Sequence, residues 1–176
     1  RKVLKKEGAD YLLTSKLDDI AWIFNLRGSD VPDNPVFYAY SLIPAKGNAT
    51  LFINEEKVPA DLKEQLAEEG VVLAPYHSVG AALASLSSGT VLADPEEINA
   101  SLLSRLPEQI TQLELPNPIE LMKALKTPEE IELISEAMLK DGVALVRFFA
   151  WLDRNLGKEE MTEQSLADKL LYFRKS

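Results

Sequence analysis

Residues 10–53 read DYLLTSKLDDIAWIFNLRGSDVPDNPVFYAYSLIPAKGNATLFI, and the order of patterns in this stretch decides the fold. Asp10 to Thr14 carries a short apolar run of the kind that forms a buried strand. From Leu17 to Phe24 the apolar residues fall at 17, 20, 21, 23 and 24, which predicts a short amphipathic helix. A loop over 28–36 follows, rich in Gly, Ser, Asp and Pro. Phe37–Ile43 and Ala49–Ile53 are β-rich runs joined by Pro44-Ala45-Lys46-Gly47-Asn48. A link that short cannot make a parallel crossover, so the two runs are expected to pair as an antiparallel hairpin.

Working outward, strand and helix patterns alternate as far as residue 115. Residues 1–8 read as the last turns of a helix ending at Gly8. That opening, with Arg1 as first residue, leads us to expect a piece of something longer. A helix over 56–69 is predicted from Val58, Leu62 and Leu66 and stops at Gly70. Val71–Ala74 and Thr90–Ala93 read as strands, with a helix over 78–86 between them. Asn99 suits the cap of a short helix through Leu106, and Leu113–Leu115 reads as a last strand. Alternation with one hairpin predicts an α/β layer fold with a mixed sheet.

After Pro116-Asn117-Pro118 the pattern becomes helical throughout. A short helix over 118–125 leads to Thr127-Pro128-Glu129-Glu130, which places an N-cap, a proline at the first helical position and a capping-box glutamate in order. Apolar residues from Ile131 to Leu152 then predict a long helix that ends at Gly157. Thr162 caps a final helix bearing Leu166, Leu170, Leu171 and Phe173, with Arg174 and Lys175 at its dipole-favoured end. The domains are therefore expected at 1–117 and 118–176. The second is two helices with broad apolar faces and no sheet, the opening of a domain whose body lies elsewhere.

Composition bounds the function. The formal net charge of -9 argues against a nucleic-acid partner, which needs clustered Lys and Arg, and no basic patch suggests a membrane surface. With no cysteine there is neither a disulfide nor a thiolate nucleophile or metal ligand, which suits a cytoplasmic location. No apolar run approaches the roughly 18 residues needed to span a bilayer, and no signal-peptide pattern is visible.

Constellations that could run a reaction are missing. His77, the single histidine, follows a strand and reads as a surface or capping residue rather than a metal ligand. The pairs Glu55-Glu56, Glu68-Glu69, Glu96-Glu97 and Glu129-Glu130 sit at helix starts or on solvated faces, and Asp18-Asp19 open or cap the helix at Leu17. There is no G-x-S-x-G elbow and no phosphate-cradling glycine loop. Arg27 is the exception, a guanidinium held at a helix end beside Gly28. Either it pairs with Asp30 or Asp33 and pins the loop, or with Asn25 or Asn34 it lines a substrate entrance or subunit contact. Trp22 and Phe24 are core on either reading.

The run from Leu17 through Asp30, continued by Asn34-Pro35-Val36-Phe37, resembles the middle domain of the cytosolic three-domain Xaa-Pro aminopeptidases, members of the creatinase/prolidase pita-bread metallopeptidases. Lys126 to Ile131 resembles that family's entry to the catalytic domain. Phe149, Trp151-Leu152, Thr162-Glu163, Ala167-Asp168 and Phe173-Arg174 resemble its first two helices. The resemblance implies a creatinase N-terminal-like layered domain followed by two helices of a truncated catalytic domain. It implies a parent enzyme that removes the residue preceding proline, with two divalent metals, usually manganese, activating a bridging water. It also implies Xaa-Pro peptides as substrates, the missing catalytic domain as partner, and a homodimer. No residue here matches the family's metal ligands or catalytic histidines, so the chain by itself is expected to be inactive, with a scaffolding, substrate-channel or dimer-contact role. Within it Arg27, Asn25, Asp30 and Asn34 are the candidate contact residues. The alternatives are a non-catalytic α/β peptide-binding or interaction module, or a prolidase- or creatinase-like relative.

Overall fold

A computed structural model describes residues 1–158 and 160–176. It divides into two compact units, Arg1–Ala124 and Leu125–Ser176.

The first unit is built on one sheet with strands β1 (Tyr11–Thr14), β2 (Ala39–Pro44), β3 (Ala49–Ile53), β4 (Val71–Pro75), β5 (Thr90–Ala93) and β6 (Thr111–Glu114), in the order β4-β3-β2-β1-β5-β6. The hairpin expected from the five-residue link is present: β2 and β3 pair antiparallel, with Ala39 opposite Ile53 and Leu42 opposite Thr50. β2 is also antiparallel to β1, while β3–β4, β1–β5 and β5–β6 are parallel. Every strand except β2 therefore runs the same way, and five carboxyl ends lie along one edge of the sheet.

Side chains alternate between the two faces along each strand, and both faces are covered. On one face Leu13, Leu42, Phe52, Val91 and Ala93 pack with helices α4 (Val79–Ala84) and α5 (Ala100–Leu103) through Val79, Leu83 and Leu102. On the other, Leu51 and Ile53 meet Ile20 and Ala21 of α2 (Leu17–Ile23) and Leu66 of α3 (Ala60–Glu68). Leu12, Ile43 and Leu92 continue that face against Leu4 of α1 (Lys2–Glu7) and Ile119 of α6 (Pro118–Ala124). The result is a three-layer α/β fold with a mixed six-stranded sheet.

Several boundaries differ from expectation: β2 begins at Ala39 rather than Phe37, α4 covers Val79–Ala84 rather than 78–86, and α5 ends at Leu103 rather than Leu106. Three further differences have clear physical reasons. The helix predicted over 56–69 is broken into a 3-10 turn at Glu55–Lys57 and α3, because Pro59 forces Val58 before it into extended backbone (φ -97°, ψ 115°). The turn and α3 still present Val58, Leu62 and Leu66 to the same core. The last strand begins at Thr111 rather than Leu113 because it pairs along its whole length with β5. The break between units falls after Ala124 and not after Asn117, since α6 buries Ile119 completely in the first unit.

The second unit is a helical hairpin of α7 (Pro128–Asn155) and α8 (Glu163–Lys175). Thr127 Oγ1 accepts from the Glu130 amide and the Glu130 carboxylate accepts from the Thr127 amide, closing the expected capping box. Thr162 and Ser165 cap α8 in the same reciprocal way. Lys169 holds its ammonium 5.0 Å from the Trp151 ring, and Arg174 Nε donates to Asp141 Oδ1 at 2.7 Å, so a cation–π contact and an ion pair join the two helices.

Candidate functional site

In open α/β sheets, ligands bind outside the carboxyl ends of the strands. Here that edge carries two neighbouring clefts and a buried polar cluster.

The larger cleft, about 760 Å³, lies beyond the ends of β3 and β4, with Ile53 and Pro75 as its floor and Tyr38, Tyr76 and His77 among its walls. Tyr76 stacks on Tyr40 (5.1 Å between centroids) and meets His77 edge-on at 5.2 Å. A hydrogen bond with Tyr40, together with burial, pushes the Tyr76 phenol up to about 12. The smaller cleft, about 280 Å³, is lined by Arg27, Gly28, Ser29, Asp30 and Phe37 and shares Ile53 and Lys57 with the larger one.

The expected pairing of Arg27 with Asp30 or Asp33 is replaced by another arrangement. Arg27 Nη1 donates to the carbonyls of Ala21 (3.1 Å) and Leu26 (2.8 Å), so the guanidinium sits on the open end of α2. Asp30 instead accepts from Lys57 Nζ at 2.5 Å and from the Tyr38 amide at 2.8 Å. Those two bonds hold its carboxyl below the ordinary range, with the Lys57 contribution the larger. A lysine can reach from the 3-10 turn along the floor of the cleft, whereas Arg27 is committed to the helix end.

Asn25 has a conformational reason to be where it is. At φ 51° it is the left-handed residue after α2, and its amide donates to Trp22 O while that of Leu26 donates to Ala21 O, a complete Schellman closure. Asn34 closes a tight turn through Val31 and is exposed. The structure thus brings Arg27 and Asp30 together in the smaller cleft and leaves Asn25 and Asn34 outside both clefts.

The polar cluster was not foreseen. Asp18 and Asp19 do lie in the first turn of α2 but make no side-chain cap. Asp19 is wholly buried, and its carboxylate accepts from Asn117 Nδ2 (2.9 Å) and Lys123 Nζ (2.5 Å). Asn117, 4% exposed, also donates to Glu97 Oε2 (2.8 Å) and to Thr14 Oγ1 (3.3 Å), while its Oδ1 accepts from the Ile119 amide and so caps α6 ahead of Pro118. Lys16 bridges Glu97 and Glu120, and Lys123 bridges Asp19 and Asp18. Glu97, expected at a helix start or on a solvated face, is therefore a largely covered member of the cluster. Burial pushes Asp18 up and Lys123 down, but their mutual hydrogen bond, reinforced for Lys123 by Asp19, outweighs it. Asp18 ends below its usual value and Lys123 above. The sequence held one clue, an Asn-Pro pair of the kind that starts a helix, which marks Asn117 as a cap but not as a buried hub.

Asp19, Glu97 and Glu120 bring carboxylate oxygens within 4.8 Å of one another, the geometry a divalent cation would use. The donors already on them answer against it. Two ammonium groups and a carboxamide neutralise and hydrogen-bond these three carboxylates. A cation would have to displace both lysines. The group works as an internal clasp, not as a metal centre.

The creatinase/prolidase N-terminal domain matches residues 1–130. The chain belongs to this family. Over 99% of its length the family member is 36% identical to Xaa-Pro aminopeptidase 1 of Dictyostelium discoideum and 32% identical to aminopeptidase P2 of Arabidopsis thaliana. It spans 28% and 29% of those proteins, respectively. Its structure aligns over 99% of the chain, at 28% identity and a TM-score of 0.87, with the X-prolyl aminopeptidase of Caenorhabditis elegans, a cytosolic enzyme with a di-nuclear active site, of which it covers 29%. The Xaa-Pro dipeptidase of Bacillus anthracis shares the creatinase/prolidase N-terminal fold at 16% identity and a TM-score of 0.68.

Proposed function

We propose that this chain is the non-catalytic α/β part, with the first two helices of the catalytic part, of a metal-dependent Xaa-Pro aminopeptidase. One observation carries the reading: nearly the whole chain matches proteins of that name, of which it makes up less than a third. In the parent the residue preceding proline would be removed at two divalent metals, manganese by the family resemblance. The ligands for those metals lie outside this chain, because its one close set of three carboxylates among the described residues is already filled by Lys16, Lys123 and Asn117.

The role of the chain is then to support that catalytic part, to wall its substrate channel and to take part in a dimer, in the cytoplasm. Arg27 and Asp30, brought together in one cleft, are the residues through which the channel role would act. Among the described residues no helix is long and apolar enough to cross a membrane. The exposed Ile131, Met138 and Phe149 of α7 support docking on further protein.

A kinetic comparison tests this. A protein extended to the length of the relatives should release the first residue of an Xaa-Pro peptide only when manganese is present, and the 176-residue chain should not. An extended protein that ignores Xaa-Pro peptides would reject the assignment. A second reading, a free-standing peptide-binding module, draws on the aromatic cleft beside Tyr76, and binding without turnover by the extended protein would favour it.

A further inference from the structure

We propose that the larger cleft, beyond the ends of β3 and β4, binds an arginine or lysine side chain of an extended peptide. The peptide part rests on the aminopeptidase reading; recognition of the cation stands on the cleft itself.

The walls supply π faces. Tyr38 is 51% exposed, and the half-buried Tyr76 is braced by Tyr40 on one side and by His77 edge-on. A ring held in place this way loses little freedom on binding and offers its face to a cation. Below the rings, Ile53 and Pro75 make an apolar floor that suits the methylene stem of a long basic side chain.

The charges at the rim are unbalanced. Glu55 and Glu56 line the cleft, and among the described residues neither carboxylate has an ion-pair partner. The 3-10 turn that carries them is fixed by Asn54, whose Oδ1 accepts from the Glu56 amide at 3.2 Å. Lys57 beside them is turned to Asp30, so it does not neutralise the pair. An aromatic wall, an apolar floor and two uncompensated carboxylates form the complement of a guanidinium or ammonium on an alkyl chain. They do not suit an anion. A volume of about 760 Å³ admits more than one side chain, which fits a peptide segment better than a lone small cation.

The test is an amide-shift NMR titration of the 176-residue chain with a free peptide of sequence Ala-Pro-Gly-Arg-Gly-Gly, and with the same peptide carrying citrulline, the neutral isostere, for arginine. The arginine peptide should shift the amides of Tyr38, Glu56, Tyr76 and His77 saturably, with a Kd on the order of 1 mM. Citrulline should weaken binding at least about fivefold, and the double variant Glu55→Gln/Glu56→Gln, at one half-buried and one exposed position, should remove that difference. Tyr38→Ala, at an exposed position, should weaken the arginine peptide without unfolding the chain. Equal shifts from the two peptides, shifts confined to other elements, or no shift at 10 mM peptide (about ten times the expected Kd) would overturn the proposal. Those outcomes leave the aminopeptidase assignment standing, which fails separately if the extended protein does not cleave Xaa-Pro peptides.

Discussion

Asp19 shows how a single side chain organises this domain. A carboxylate with no exposed surface is tolerated only because Asn117 and Lys123 replace the water it lost. Asp19→Ala removes one partner each from Lys123 and Asn117 at a fully buried position, and should lower unfolding free energy by about 1.5–3 kcal/mol in urea titration. The pH dependence of the clasp follows from its signs. Asp18, held low, contributes fully above about pH 4 and loses its contribution as pH falls through its depressed folded value. Lys123, held high, contributes fully below about pH 10 and loses its contribution as pH rises through its raised folded value. The stability gap between the natural chain and Lys123→Met should therefore be flat from about pH 5 to 9 and narrow on both sides, as urea midpoints would show. A gap that changed across neutral pH would contradict the assignment. Tyr76 offers an optical check: one phenol should titrate at about 12, apart from the ordinary value near 10, and Tyr40→Phe should bring it down.

At the scale of elements, most of the fold was legible because each element carried its own local signal. The five-residue link between Phe37–Ile43 and Ala49–Ile53 allowed only a hairpin, and Thr127-Pro128-Glu129-Glu130 spelled out a capping box that the structure contains. What could not be read was set by contacts distant in sequence. Asn117 meets Thr14 and Asp19 across about a hundred residues, and Lys57 rather than Arg27 takes Asp30 from a turn 27 positions away. Spacing along one element says nothing of such pairs. Gly28 illustrates the same limit: an added Cβ would lie 2.7 Å from Phe37 Cβ, a closeness invisible in the sequence. Gly28→Ala should cost about 1–3 kcal/mol in thermal or urea unfolding, since the buried Phe37 cannot easily give way. In the second unit Thr127→Ala should cost about 1 kcal/mol, seen as fraying of α7 by amide exchange.

Across the whole molecule, the sheet directs five carboxyl ends to one edge, and the clefts, the clasp and the residues singled out at 17–37 gather there. The stretch at 17–37 carries the sequence resemblance to the family and lines part of a cleft, with Arg27 serving chiefly to close α2. Under the proposed function this chain is part of an Xaa-Pro aminopeptidase without holding its chemistry. The most direct measurement is the rate at which the purified 176-residue chain, saturated with manganese, releases the first residue from an Xaa-Pro peptide, set beside a protein extended to the relatives' length. The account predicts a rate indistinguishable from the blank for the chain and manganese-dependent release for the longer protein. Turnover by the chain alone at a rate of about 1 per second or more, within the ordinary enzymatic range, would contradict it.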